Sequence, residues 1–224
     1  LSAFLADHTG GSGVYESSDY SKDGEVTALQ TATRGNGINI VLLGDAFSDR
    51  LVADGTYDGT MRKAMEHFFS EEPYKSFRDL FNVYAVNVVS KNEAYGSGAQ
   101  TALDGFFGDG THVGGNDDKC RQYAMKVPGI TYDNIDDALI IVMMNRTYYA
   151  GTCYMYYPSS GDYGQGLSIA YFPLGTDDGM FGQLLHHEAG GHGFPKLADE
   201  YAYEEYGQIP WNEVQSAKQL EPYG

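Results

Sequence analysis

At 224 residues, with 42% hydrophobic and 14% aromatic content, the chain is long and apolar enough to bury one sizeable core. Its formal net charge of -17 repels phosphate backbones and anionic headgroups, so nucleic acid and anionic membrane surfaces are set aside as partners. No run approaches the ~18 consecutive apolar residues of a membrane span, so no membrane insertion is expected.

Residues 1–36 are rich in Gly, Ser, Asp and Thr and have little periodicity, so they read as a flexible N-terminal segment, with His8 a solvated loop residue. The chain lacks an initiator Met, so it is read as processed or trimmed, and a missing leader bears on no compartment. One α/β domain is expected over 37–224. It begins with Ile38 to Phe47, a β-branched apolar run that predicts a central strand buried on both faces. Asp45 and Asp49 follow as turn and cap residues.

Met61, Ala64, Met65, Phe68 and Phe69 form one stripe on a 3.6-residue period, which predicts a helix packed into the core, with Thr60 as its N-cap and Pro73 marking its end. Leu80 to Ser90 predicts a second strand. From Lys91 to Asn116 glycines interrupt any regular element. Asp104, Asp109, Asn116, Asp117 and Asp118 offer oxygen ligands in no EF-hand spacing; solvated loop is the first reading and a secondary calcium site the second. His112 in the same stretch reads as a loop residue, with a distant metal ligand or substrate contact as its alternative.

Cys120 to Lys126 predicts a short helix stopped by Pro128-Gly129. Cys120 and Cys153 lie in no metal-type spacing. Pairing and free thiols both stay open; a bridge closing a loop of that size would contribute roughly 3–4 kcal/mol. Ala138 to Asn145 is a third buried strand, and a Tyr/Gly-rich loop runs from Tyr148 to Gly166. Leu167 to Leu174 is a fourth strand, placed at an edge beside a substrate cleft because Pro173 cannot donate to a ladder. Thr176-Asp177-Asp178-Gly179 then caps a helix that runs into the densest ligand chemistry of the chain.

That stretch is Leu184 to Tyr201, which holds three histidines and three carboxylates. It nears the HExxH metal motif, except that His187 and His192 are five apart. In an α-helix residues four apart lie about 40° from eclipsed and residues five apart about 140°. Gly190 and Gly191 cost roughly 1 kcal/mol each in a helix, so their presence needs a reason. A π-bulge there absorbs one residue and returns both imidazoles to a shared face. His186, about 240° from His192, becomes a packing or supporting group. Pro195 turns the chain, letting Asp199 or, as the second choice, Glu200 swing back as third ligand; the plain alternative makes both surface or capping groups. A catalytic zinc takes three protein ligands and a water. Glu188 would then take the proton of an attacking water and pass it to the leaving amine. No Ser-His-Asp elbow, P-loop or dinucleotide fingerprint competes with this stretch.

The run HEAGGHGFPKLADEY, with INIVLLGDAFSD upstream, resembles the bacterial peptidase family named for an immunoglobulin A metallo-endopeptidase, whose members commonly carry HExGH and a LADEY-like ending. The resemblance covers roughly residues 37–205. From His192 to Leu197, Asp199, Glu200 and Tyr201 the spacing matches, and the extra residue falls between Glu188 and His192. The resemblance implies a zincin-like (metzincin-like) α/β catalytic domain with a mixed twisted sheet and an active-site helix carrying the motif. It further implies one zinc ion, hydrolysis of protein or peptide substrates, and export from a bacterial cell. By matching positions it carries over His187, His192 and Asp199 as ligands and Glu188 as base. Members continue past the motif, so the domain is expected to be incomplete at its C-terminal end. The first functional expectation is therefore a zinc endopeptidase. The second is an inactive zincin-like module binding protein or glycan through its Tyr/Gly loops. The third is a structural metal site with four protein ligands.

Overall fold

The computed structural model describes residues 14–156 and 166–199. A six-stranded mixed sheet organises them, in the order β1-β3-β2-β6-β8-β7. The strands are β1 (Val26–Gln30), β2 (Ile38–Asp45), β3 (Phe81–Val86), β6 (Ala138–Met144), β7 (Thr152–Met155) and β8 (Ser168–Pro173). The inner four run parallel, while β1 and β7 close the two sides antiparallel. A short ribbon of β4 (Phe106–Phe107) and β5 (Val113–Gly114) stands apart from the sheet. Among the described residues no helix is long and apolar enough to cross a membrane.

Continuous apolar runs make the inner strands because both sheet faces are covered. Ile40 and Leu42 enter one core with Leu139, Ile141 and Phe172, whereas Val41 and Leu43 enter another with Ile140, Val142 and Ile169. The two-residue side-chain period divides each strand between them. On the first face lie α2 (Thr56–Phe68) and α4 (Asp178–Leu185); α3 (Asp117–Ala124) helps cover the second. A further short helix, α1 (Asp49–Ala53), leads into α2.

Several sequence expectations shift. Residues 26–30 of the segment expected to be flexible form β1, because their backbone groups pair with β3 although the side chains show no alternation. The stripe Met61–Phe69 is buried as expected, but α2 starts a turn before Thr60. Tyr57 explains the earlier start: it is buried, donates its hydroxyl to the Val86 carbonyl at 2.5 Å and accepts the Gly44 N–H at 2.9 Å. Asp45, expected as a turn or cap residue, is the buried last residue of β2. Its buried carboxylate accepts the N–H groups of Leu103 and Gly105 at 2.9 and 3.2 Å, pinning the Gly-rich loop to the end of β2.

The fourth predicted strand, β8, is not an edge. Its neighbour β7, hidden in the Tyr/Gly-rich loop, takes that place. Pro173 is tolerated inside the sheet because β7 pairs only with Ser168–Tyr171 and ends before reaching it. The sheet also settles the cysteines. Cys120 packs on one face and Cys153 on the other, and both are free thiols. Burial pushes each thiol up to about 12.

Candidate metal centre

The site grows from the end of α4. Asp177 caps this helix by accepting the Met180 N–H at 2.9 Å, and Phe181, Leu184 and Leu185 anchor it against the sheet. The chain continues without a break into an eight-residue π-helix, His186–Gly193. In i→i+5 geometry residues five apart stack on successive turns, as residues four apart do in an α-helix. The widening expected at Gly190-Gly191 is present and extends over the whole motif.

His187 and His192 consequently face one another. Their Nε2 atoms are 3.2 Å apart. Asp199 comes back to the same point, its Oδ1 at 3.4 Å from His187 Nε2 and 3.2 Å from His192 Nε2. A tetrahedral ion with bonds of about 2.0–2.1 Å holds its ligand atoms about 3.3–3.4 Å apart, so the donor set fits zinc by separation as well as by type. Among the described residues this is the one cluster of three or more ligand-type side chains close enough to share an ion.

The return of Asp199 has a local cause. The chain turns at Phe194-Pro195 and passes through Lys196, whose φ of 56° is left-handed. The Leu197 N–H then donates to the Gly191 carbonyl at 3.1 Å. Lys196 reaches back to the buried Ser168, with Nζ 2.5 Å from its Oγ. The same turn fixes His192. Its Nδ1 lies 2.6 Å from the Leu197 carbonyl oxygen, which can only accept, so Nδ1 donates there and Nε2 is the nitrogen presented to His187 and Asp199. Sequence reasoning missed Leu197, because a backbone carbonyl leaves no mark in the side-chain pattern.

Glu188 is 5% exposed and borders the same open cleft, of about 590 Å³, as His187, His192 and Asp199. Burial pushes its carboxyl up to about 7, assisted by the negative charge of Asp199. Gly151, on the facing wall, was also missed. A Cβ at this position would lie 2.2 Å from Glu188 Oε1, so only glycine leaves the carboxylate its place. Burial and the neighbouring His192 hold His187 below the usual imidazole range, which favours its neutral, ligating form.

The remaining sequence candidates lie elsewhere. His186 faces away from the cleft, its Nε2 3.3 Å from Ser70 Oγ. His112 meets the Tyr154 hydroxyl at 2.9 Å and takes no part in the cluster. His8 and Glu200 lie outside the described residues. The calcium expectation finds no support. Asp104 pairs with Lys119 at 2.8 Å and Asp118 with Arg121 at 2.8 Å, Asn116 caps α3, and Asp117 accepts the Tyr171 and Tyr156 hydroxyls.

Comparison with known proteins adds one finding. The family model described as IgA Peptidase M64 matches residues 26–223, and the chain belongs to that family. The match takes in β1, which the sequence pattern alone had left outside the domain. The chain is thus a peptidase, a hydrolase of protein or peptide substrates. A search of curated proteins finds no match.

Proposed function

Proceeding from membership in the IgA peptidase M64 family, we propose that this chain is an exported bacterial endopeptidase of zincin-like (metzincin-like) architecture that works with one zinc ion. His187, His192 and Asp199 hold the ion, and Glu188 is the general base. The observation that carries this reading is the convergence of three donor atoms beside a buried carboxylate in an open cleft.

The ion supplies Lewis acidity, polarising a peptide carbonyl and bringing the pKa of water down to about 7. Glu188 takes the proton of the attacking water at its carboxylate and delivers it to the nitrogen of the departing amine. Burial beside the cleft raises the proton affinity of the Glu188 carboxyl, the direction a general base needs. The hydrogen bond from His192 Nδ1 to the Leu197 carbonyl keeps Nε2 free as a donor atom. An extended substrate is placed along β7, which borders the cleft through Thr152, Cys153 and Met155; β8, the strand expected from the sequence, is interior.

Metal analysis and a peptidase assay of the wild type and Glu188→Gln test the reading. The variant is expected to keep one ion per chain and lose cleavage by about 10²–10⁴-fold. An ion bound without any Glu188-dependent cleavage would leave a binding module in place of an enzyme, and a wild type that takes up no ion would remove the metal site.

A further inference from the structure

The π register that brings His187 and His192 together leaves the Gly190 carbonyl, among those of its last turn, without a partner inside the helix. In this register the carbonyl of residue i receives the N–H of residue i+5. The Ala189 carbonyl accordingly takes the Phe194 N–H, at 2.9 Å. Gly190 comes next, and its i+5 residue is Pro195, which has no N–H. Its α-helical donor would be the N–H of Phe194, which is already engaged by Ala189. A buried carbonyl with neither donor is costly and opposes the register that creates it.

Tyr74 fills the gap from outside the helix. Its hydroxyl donates to the Gly190 carbonyl, with the oxygens 2.5 Å apart. The ring is 6% exposed and boxed by Phe68, Phe194 and Phe81, with centroids 4.3, 5.8 and 6.3 Å away. The hydroxyl thus has a fixed address rather than a choice of partners. Gly190 permits the approach, since a Cβ there would lie 3.2 Å from Tyr74 Cε2.

We infer that Tyr74 is a positioning residue for the metal centre: by supplying the hydrogen that Pro195 lacks, its hydroxyl holds His186–Gly193 in the π register that aligns His187 with His192. The α register competes, because there the Phe194 N–H satisfies Gly190 and residues five apart diverge by about 140°. A contact that favours one of two arrangements shifts their populations by its differential strength. Tyr74 favours the ligating one. The inference rests on the reading that His187 and His192 share an ion.

The test uses the full chain as wild type, Tyr74→Phe, Pro195→Ala and the double variant, with Co²⁺ titrated by its visible absorption and the thermal midpoint recorded for each metal-free chain. Tyr74→Phe keeps the ring and loses only the hydroxyl. It is expected to weaken Co²⁺ binding about 10–100-fold, the usual effect of removing a group that orients a ligand. Pro195→Ala returns an N–H at position i+5, so the double variant should regain most of the affinity, which a purely packing role for Tyr74 would not allow. Unchanged affinity in Tyr74→Phe overturns the inference, and so does a loss that Pro195→Ala fails to restore. If Tyr74→Phe does not fold, a folded double variant supports the inference and an unfolded one overturns it. A wild type that binds no Co²⁺ strikes the metal reading instead, and the same rescue pattern in the thermal midpoints then judges Tyr74.

Discussion

Glu188 has its position because residue 151 has no side chain. Gly151→Ala would place a Cβ 2.2 Å from Oε1 and 2.7 Å from the carboxyl carbon, forcing the carboxylate off its line to the cleft. A displacement of that kind costs about 10²-fold in kcat/KM, and metal content should stay at the wild-type level because no donor atom moves. An unchanged kcat/KM on a peptide substrate would separate Glu188 from the chemistry. Asp49 organises the N-terminal strap in a comparable way. It accepts the Tyr15 hydroxyl at 2.6 Å and the N–H groups of Ser18 and Asp19 at 2.9 and 2.8 Å. The Tyr15 hydroxyl first, and then these N–H groups, hold its carboxyl well below the ordinary 3.8. A depressed carboxylate stabilises the fold above its unfolded value, and the contribution is lost as pH falls through the folded value. Asp49→Asn should therefore unfold at lower urea than wild type near neutral pH, with the gap closing in acid below 3.8. A gap of constant size would assign the loss to packing. Neither Gly151 nor the strap could be read from the sequence, since each acts on residues far away along the chain.

At the scale of elements, the π-helix is held by what it packs on. It lies against β6, β7 and β8, and Gly193 packs closely on β6. A Cβ at Gly193 would fall 2.7 Å from Leu139 Cδ1 on β6 and 3.2 Å from the Glu188 carbonyl oxygen. Gly193→Ala is expected to lower the unfolding free energy by about 1–3 kcal/mol through overpacking, read as a lower urea midpoint at constant slope. No change would mean that the helix and β6 can separate freely. The wide register was legible from two facts of sequence: histidines five apart and adjacent glycines between them. The reason for its stability was not, because the partner of the Gly190 carbonyl comes from Tyr74. Strand β7 was hidden for a different cause. Thr152–Met155 is four residues of intermediate burial, too short and too even to show a period of two.

For the whole molecule, if His187, His192 and Asp199 hold an ion as proposed, metal binding is coupled to folding, because Asp199 reaches the two histidines through the turn after Pro195. Zinc at a hundred times its dissociation constant should add about 2.7 kcal/mol to the stability of the folded chain, seen as a raised thermal midpoint that a chelator reverses. His192→Ala should abolish the response; an equal response in that variant would place the ion elsewhere. The net charge of -17 would attract a cation to the chain, an attraction that added salt screens.

The sequence by itself determined the inner strands, the buried stripe of α2, the capped α4 and the concentration of ligand chemistry after it. These are carried by residues near one another in the chain, where side-chain period and capping act directly. Tertiary structure alone decided which strand lies outermost, where β1 docks, that the cysteines fall on opposite faces, and that a tyrosine hydroxyl meets the carbonyl a proline leaves bare. Those outcomes depend on contacts between segments distant in sequence. Strand order, chain return and the pairing of a single backbone oxygen have no local period to announce them.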